Sequence, residues 1–272
     1  MMPKKMSSSP SRLRCPYSKL HLFDAHCHLH DDRIVGHLNR IIADSHQRGI
    51  DEFYSCGTSE ADWDVLSRLA NQYAGIHPFF GLHPWWIATR SGEWKQKLVD
   101  KIGSVGEGVG EIGLDYALDD VERQTQKEIF LEQYQISIDF KKPVAIHCRG
   151  AWGDMPRILK SHGPHPAGAI LHSYSGSAEI VSELKNLNIY FSFSGSVTNV
   201  NNKRAAEAVR AVPLDKILIE TDAPDMPPYI DGEKPDGPNS PANLQLVLER
   251  VAELKMVAPE DMAETISQNR LL

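Results

Sequence analysis

The stretch HLFDAHCHLH, from His21 to His30, places four histidines and one aspartate within ten residues. Its alternation predicts a β-strand, because side chains at i, i+2 and i+4 of a strand share one face. Asp24, His26 and His28 would then point to one side, and the apolar residues between them would point to the other. This stretch therefore predicts a strand whose polar face carries residue types that bind metal ions.

Along the rest of the chain, short apolar runs typical of strands alternate with longer helix-like patterns. Eight segments are predicted strands, at 21–26, 50–57, 76–84, 104–116, 142–148, 168–173, 189–195 and 216–222. Eight β/α repeats in about 250 residues are typical of a TIM-type (β/α)8 barrel. A doubly wound sheet also alternates in this way, but no GxGxxG motif opens a helix after the first strand. We therefore predict an α/β fold with a single barrel domain over 21–272.

Charge is distributed unevenly between the first twenty residues and the rest of the chain. The segment 1–20 carries five basic residues and no acidic one, whereas the whole chain has a net charge of −7. We expect this segment to be a flexible basic tail, either disordered or an organelle transit peptide. A net-negative body is a poor general binder of nucleic acid, so any such binding requires a local positive site.

Cysteine usage and hydropathy bear on location and partners. The four cysteines include no CxxC pair, which argues against a disulfide framework and suits a reducing compartment. No apolar run approaches the ~20 residues that cross a bilayer. We expect a cytoplasmic protein without a membrane partner, a monomer or a weak oligomer, and leave an organellar or nuclear fraction open.

Histidines and carboxylates fall near the ends of six predicted strands. The C-terminal ends of barrel strands converge on the active-site face, so we expect one cluster there, made of His26, His28, His83, Glu111, His147, His172 and Asp222. Imidazole and carboxylate bind Zn²⁺ and Mn²⁺, and carboxylate with water also suits Mg²⁺. A central carboxylate such as Glu111 can bridge two ions ~3.5–4 Å apart, and Asp222 is the candidate base for an activated water.

Other acids and histidines receive supporting or peripheral roles. We expect Asp24 to hold an imidazole by its second nitrogen. Glu107 shares a face with Glu111 but lies deeper, which indicates a core acid or a supporting one. The remaining histidines of the first fifty residues are expected at the surface, namely His21, His30, His37 and His46.

Six motifs occur in an order that resembles TatD-type metal-dependent DNases, a branch of the amidohydrolase-like TIM barrels. They are DAHCHL (24–29), GLHPW (81–85), GEIGLDY (110–116), PVAIHCR (143–149), LHSYSG (171–176) and ETDAPDMP (220–227). The resemblance covers about residues 21–272. It implies hydrolysis of DNA, with an exonuclease-like action on exposed ends.

The resemblance also implies a binuclear site with two divalent cations. One cation would be held by His26, His28, Glu111 and Asp222, and the other by Glu111, His147 and His172. His83 would lie near the substrate phosphate, with Arg149 as a further phosphate contact. The identity of the metal, whether Zn²⁺, Mg²⁺ or Mn²⁺, stays open.

Two segments depart from the family pattern. The segment after the sixth strand reads HSYSG where the family often has HCFSG, and the late loop reads Pro238-Asn239-Ser240-Pro241 without an acid or arginine. Neither departure removes an expected ligand.

The alternative enzyme is a metal-dependent hydrolase of small amides or esters on the same barrel. A structural metal protein is less favoured, because structural zinc sites are usually rich in cysteine.

Overall fold

The computed structural model describes residues 21–272, so the expected basic tail lies outside the described residues. Eight parallel strands form one sheet in which each strand pairs with the next along the chain. They are β1 Leu22–Cys27, β2 Ile50–Cys56, β3 Ile76–Phe80, β4 Gly108–Asp115, β5 Val144–Arg149, β6 Ala169–Leu171, β7 Ile189–Phe193 and β8 Ile217–Ile219. The predicted TIM-type barrel is confirmed.

Helices connect the strands and surround them. They are α1 Leu38–His46, α2 Trp63–Gln72, α3 Trp94–Ser104, α4 Arg123–Asp139, α5 Met155–His162, α6 Ala178–Leu184, α7 Lys203–Ala211, α8 Leu244–Lys255 and α9 Pro259–Gln268. Local sequence signals set several of their ends. Pro156 lies in the first turn of α5 and Gly163 ends that helix with φ +72°, while the Asn202 side chain accepts a hydrogen bond from Ala205 N–H at the start of α7. None of the described helices is long and apolar enough to span a membrane.

The barrel closes between β1 and the segment that follows β8. Asp222 N–H donates to the His26 carbonyl at 2.9 Å, and His28 N–H donates to the Ala223 carbonyl at 2.7 Å. The residues that close the ring are therefore among those expected to bind metal. Closure fixes the backbone of His26, His28 and Asp222 relative to one another.

Three strands end before the site residue that each was predicted to contain. β3, β6 and β8 stop before His83, His172 and Asp222 respectively. His83 instead caps a short 3₁₀ helix that begins at Pro84, and Asp222 has φ +55°, which a strand does not allow. These side chains consequently stand on the first loop residues, where they reach over the rim of the barrel.

A close backbone approach joins the loop after β3 to the centre of the rim. A Cβ atom on Gly81 would lie 2.8 Å from the Glu111 carbonyl oxygen and 2.7 Å from the Gly110 carbonyl carbon. Only glycine leaves room for this contact. The GLH segment can therefore carry His83 to the side chain of Glu111.

Candidate metal centre

The side chains predicted for the active-site face come from six strands and meet at the C-terminal rim. Three of them lie within strands and four lie in the first residues after a strand. The former are His26, Glu111 and His147; the latter are His28, His83, His172 and Asp222. All are buried except His147, which is partly exposed.

Glu111 lies at the centre and divides its two oxygens between two groups of imidazoles. Oε2 is 3.3 Å from His26 Nε2 and 3.4 Å from His28 Nε2. Oε1 is 2.7 Å from His172 Nε2 and 3.0 Å from His147 Nδ1. Each carboxylate oxygen therefore faces its own set of nitrogen donors.

Asp222 completes the first group of donors. Its Oδ1 lies 3.4 Å from His28 Nε2 and 3.8 Å from His26 Nε2, and the two nitrogens are 3.3 Å apart. Ligand atoms about 2.0–2.1 Å from a tetrahedral ion are about 3.4 Å from one another. Four donors with this spacing fit around one divalent cation.

The second group has fewer protein donors. His147 Nδ1 and His172 Nε2 are 3.3 Å apart, and both face Oε1 of Glu111. Three converging donors fit a cation that keeps positions for water or substrate. The residue types in both groups thus suit divalent ions.

The outer ring nitrogens of two histidines rest on acceptors that fix the tautomer. His28 Nδ1 donates to the Cys56 carbonyl at 2.8 Å, and His147 Nε2 lies 3.3 Å from Asp115 Oδ2. A neutral imidazole with its proton on the outer nitrogen turns a lone pair toward the centre. Metal-ligating histidines are commonly oriented in this way.

The other two imidazoles have less uniform support. His172 Nδ1 lies 3.5 Å from Glu220 Oε1, which also accepts the Ser173 N–H at 2.5 Å. His26 Nδ1 lies 3.4 Å from the Cys56 sulfur. The rings of His26 and His172 stack with centroids 3.9 Å apart, so this stacking holds both groups of donors together.

His83 turns a protonated nitrogen toward the centre, whereas His28 and His147 carry their protons on the outer nitrogen. His83 Nδ1 accepts the Trp85 N–H at 3.2 Å, so in the neutral ring the proton sits on Nε2. That N–H lies 3.3 Å from Glu111 Oε1. Burial lowers the pKa of His83 to about 4, which keeps the ring neutral near pH 7. His83 is therefore a hydrogen-bond donor at the rim.

Opposite charges compensate for the burial of the carboxylates. Burial alone would raise the pKa of Glu111, but the charge of His172 and hydrogen bonds from His147 and His172 hold it well below its usual range. Burial would also lower the pKa of His28, whereas its hydrogen bond to Asp222 and the charge of Glu111 raise it to about 9. The cluster thus concentrates negative charge, which a cation can neutralise in place of protons.

Asp24 does not support an imidazole, and that expectation is wrong. Its carboxylate accepts hydrogen bonds from the Thr221 N–H at 2.8 Å and from the Thr221 hydroxyl. Thr221 lies two residues after β8, and the His26 N–H also donates to Asp24 Oδ1 at 3.3 Å. Burial raises the pKa of Asp24 to about 8. Asp24 therefore fixes the backbone that leads to Asp222.

Two further expectations are corrected. His30 is buried rather than at the surface, because the loop after β1 places its Nε2 3.5 Å from Asp62 Oδ2. Glu107 is neither a core acid nor near the centre. It precedes β4, so it lies at the opposite end of the barrel, where it accepts a 2.8 Å hydrogen bond from His77 Nδ1. The other three histidines, His21, His37 and His46, are exposed as expected.

Asp115 is a residue that the sequence reasoning missed. This fully buried carboxylate accepts hydrogen bonds from Trp85 Nε1 at 2.8 Å and from Arg149 Nε at 2.9 Å, and it faces His147. These contacts hold its pKa below the usual range against the effect of burial. The signal was strand parity, since Glu111 and Asp115 lie four residues apart on one face of β4.

Comparison with known proteins identifies the family. The family model described as TatD related DNase matches residues 23–271. The chain belongs to the TatD DNase family. YabD of Bacillus subtilis, named as an uncharacterized metal-dependent hydrolase, is 32% identical over 254 residues, which cover 91% of this chain and 96% of YabD. The protein is accordingly a metal-dependent hydrolase whose rim residues suit divalent ions.

Two other TatD relatives match over most of their length. The 3′-5′ ssDNA/RNA exonuclease TatD of Citrobacter rodentium is 27% identical over 255 residues, covering 91% of this chain and 95% of that protein. The crystal structure of YjjV, a TatD homologue of Escherichia coli K12, superposes with a TM-score of 0.85 at 25% identity, covering 92% of this chain and 96% of YjjV. The TatD barrel is thus shared from end to end.

The two departures from the TatD pattern both have structural roles. In the HSYSG segment, the Ser173 hydroxyl lies 2.7 Å from that of Ser194 on the adjacent loop. In the late loop, buried Asn239 donates through Nδ2 to the Thr221 carbonyl at 2.8 Å. Both segments therefore brace loops of the rim, and neither displaces a donor of the cluster.

Proposed function

We propose that this TatD-family hydrolase is a divalent-metal-dependent DNase that cleaves phosphodiester bonds at exposed ends of DNA. The observation that carries the proposal is the division of the Glu111 carboxylate between two sets of imidazoles. A bridging carboxylate of this kind is the feature expected of a pair of ions acting on one displacement.

The proposal assigns two cations to the rim. His26, His28, Glu111 and Asp222 hold the first cation, and Glu111, His147 and His172 hold the second. The support is the spacing of 2.7–3.8 Å between the donor atoms of each group. When bound, such a pair of ions lowers the pKa of a water and neutralises charge on the phosphodiester.

Three side chains then act on the reacting groups. Asp222 turns Oδ1 toward the two histidines, so its Oδ2 can accept a proton from the attacking water. His83 offers Nε2–H to a phosphate oxygen. Arg149 is anchored through Nε to Asp115, and its exposed guanidinium can pair with a phosphate.

Nucleic acid is favoured over small amides and esters as the substrate. The name of the Citrobacter rodentium relative describes action on single-stranded DNA and RNA. The chain carries a net charge of −7, so binding of a polyanion depends on the rim, where cations and Arg149 supply local positive charge. The central bridging group is Glu111, whereas amide-cleaving barrels frequently use a carboxylated lysine.

Metal exchange combined with a substrate panel tests the proposal. Chelated protein is reloaded separately with Mg²⁺, Mn²⁺ or Zn²⁺ and assayed on labelled single- and double-stranded oligonucleotides, and on small esters and amides. We expect loss of oligonucleotide cleavage on chelation, recovery with at least one metal, and close to two ions per chain by elemental analysis. Cleavage confined to the esters or amides would overturn the nuclease assignment.

A further inference from the structure

Trp85 is an exposed aromatic residue that is held rigidly beside the metal centre. Its side chain is 50% exposed, yet its Nε1–H donates to the buried Asp115 carboxylate at 2.8 Å. Its ring also lies edge-on to the ring of His83, with centroids 5.0 Å apart. The indole therefore leaves much of its surface open to solvent while its orientation is fixed.

The same carboxylate fixes a cation next to this ring. Arg149 donates Nε to Asp115 Oδ1 at 2.9 Å, while the indole N–H of Trp85 binds Oδ2. Half of the Arg149 side chain is exposed. An aromatic face and a guanidinium thus extend from one buried anchor, which also faces His147 of the metal centre.

We propose that Trp85 stacks on an unpaired nucleobase of the substrate while Arg149 binds the adjoining phosphate, with Asp115 positioning both relative to His147. This inference rests on the proposed nuclease function and specifies the substrate as single-stranded. A base in a duplex has both faces covered by its neighbours, whereas an unpaired base can stack on an aromatic side chain. A flat apolar face beside a cation suits a nucleotide.

Substitution at Trp85 separates stacking from anchoring. Trp85→Leu removes the flat ring and the N–H donor, and Trp85→Phe keeps a ring but loses the donor. Trp86→Leu is the matched control, because Trp86 is also exposed, at 42%, and has no role in the proposal. Melting temperature and metal content verify that each variant is folded and loaded.

Two probes of equal length and charge reveal the base contact. One is a single-stranded oligothymidylate, and the other is the same backbone with every base removed. Base–aromatic stacking contributes about 1–3 kcal/mol per base, which corresponds to about 5- to 150-fold in affinity. We expect Trp85→Leu to weaken anisotropy-measured binding and raise KM by that factor for oligothymidylate, with little effect on the abasic probe and on kcat.

The variants have distinct expected outcomes. Trp85→Phe should retain most of the preference for oligothymidylate over the abasic probe, and Trp86→Leu should behave as wild type. An equal loss on both probes, or no loss at all, in Trp85→Leu would overturn the stacking role while wild-type cleavage leaves the nuclease function standing. Wild-type protein that cleaves double-stranded DNA but neither probe would overturn this inference alone, and wild-type protein that cleaves no oligonucleotide of either kind would overturn the nuclease function with it.

Discussion

The two ends of the barrel use the same residue types for different purposes. At the N-terminal end, His77 donates Nδ1 to Glu107 at 2.8 Å and places Nε2 3.3 Å from Glu52. Arg270 pairs with the same Glu52. The two nitrogens of His77 thus face separate carboxylates, and the Arg270 guanidinium balances the charge of one of them.

At the C-terminal rim the imidazoles are arranged differently. Five of them place a nitrogen within 3.4 Å of one carboxylate, that of Glu111. Among the described residues, the ion-pair partners of Glu111 are all histidines, with no arginine or lysine. Histidine and glutamate in proximity therefore do not define a metal site. The direction in which lone pairs converge does.

Replacing the central glutamate, Glu111, should cause the largest loss of activity and of bound metal. Glu111→Gln removes the charge and one of the two acceptor oxygens, so both groups of donors lose their common member. We expect at least about a 1,000-fold loss of kcat, since transition-state stabilisation by metal ions amounts to several kcal/mol. Elemental analysis should find fewer ions per chain.

Glu107→Gln is the matched control at the other end of the barrel. It loses only a partly exposed pair with His77, so kcat and metal content should stay within about twofold of wild type. An unchanged rate in Glu111→Gln, or an equal loss in both variants, would contradict the assignment of the rim as the active site.

Asp222→Asn probes the proposed proton acceptor. The amide keeps an oxygen near His28 but cannot accept the proton, so we expect kcat to fall about 100- to 1,000-fold. Asp225 lies on the same loop as Asp222 and pairs with Arg33 at the surface. The kcat of Asp225→Asn should therefore stay within about twofold of wild type. Single-turnover rates with saturating metal provide the measurement, and near-normal turnover of Asp222→Asn would remove it as the base.

Asp115→Asn tests whether the rim depends on its buried anchor. Loss of its charge weakens the hold on both His147 and Arg149, and outer partners of metal ligands typically affect affinity or activity by about 10- to 100-fold. We expect a higher dissociation constant for the metal and a higher KM for oligonucleotide. Asp64→Asn, which changes an exposed pair with Lys101, serves as control. If neither the metal dissociation constant nor KM rises, Asp115 is dispensable as an anchor.

The smallest expected effect concerns stability at the N-terminal end. Burial lowers the pKa of His165 to about 4, against about 6.5 in an unfolded chain. Between these values the unfolded chain binds more protons, so His165 costs stability as pH falls from about 6.5 toward 4. In chelated protein, His165→Gln should show a smaller drop in melting temperature between pH 7 and pH 5 than wild type. Equal drops would show that His165 does not titrate on unfolding.

Much of the fold and cluster could be predicted because periodicity and strand ends are local properties. Alternation in HLFDAHCHLH placed His26 and His28 on one face, and eight β/α repeats indicated a barrel whose strand ends meet. The seven rim residues from six strands followed from these two facts. The family motifs then suggested how the residues divide into groups.

Contacts between strands could not be read in the same way. Asp24 shares the face of His26, but only the register of β1 against the end of β8 shows that it binds Thr221. His30 is buried because a loop folds back toward Asp62, and loop paths depend on tertiary packing. Asp115 acts through side chains from β5 and from the loop after β3.

The residue types at the strand ends follow from the amino-acid sequence alone, because strand periodicity and the number of β/α repeats are local patterns. Tertiary structure decided which nitrogen of each imidazole faces inward. For His28 and His147 that choice depends on partners distant in sequence, the Cys56 carbonyl and the Asp115 carboxylate, whereas for His83 it depends on the nearby Trp85 N–H. A proton on one ring nitrogen leaves the lone pair on the other, so the surroundings of each ring distinguish a metal donor from a hydrogen-bond donor.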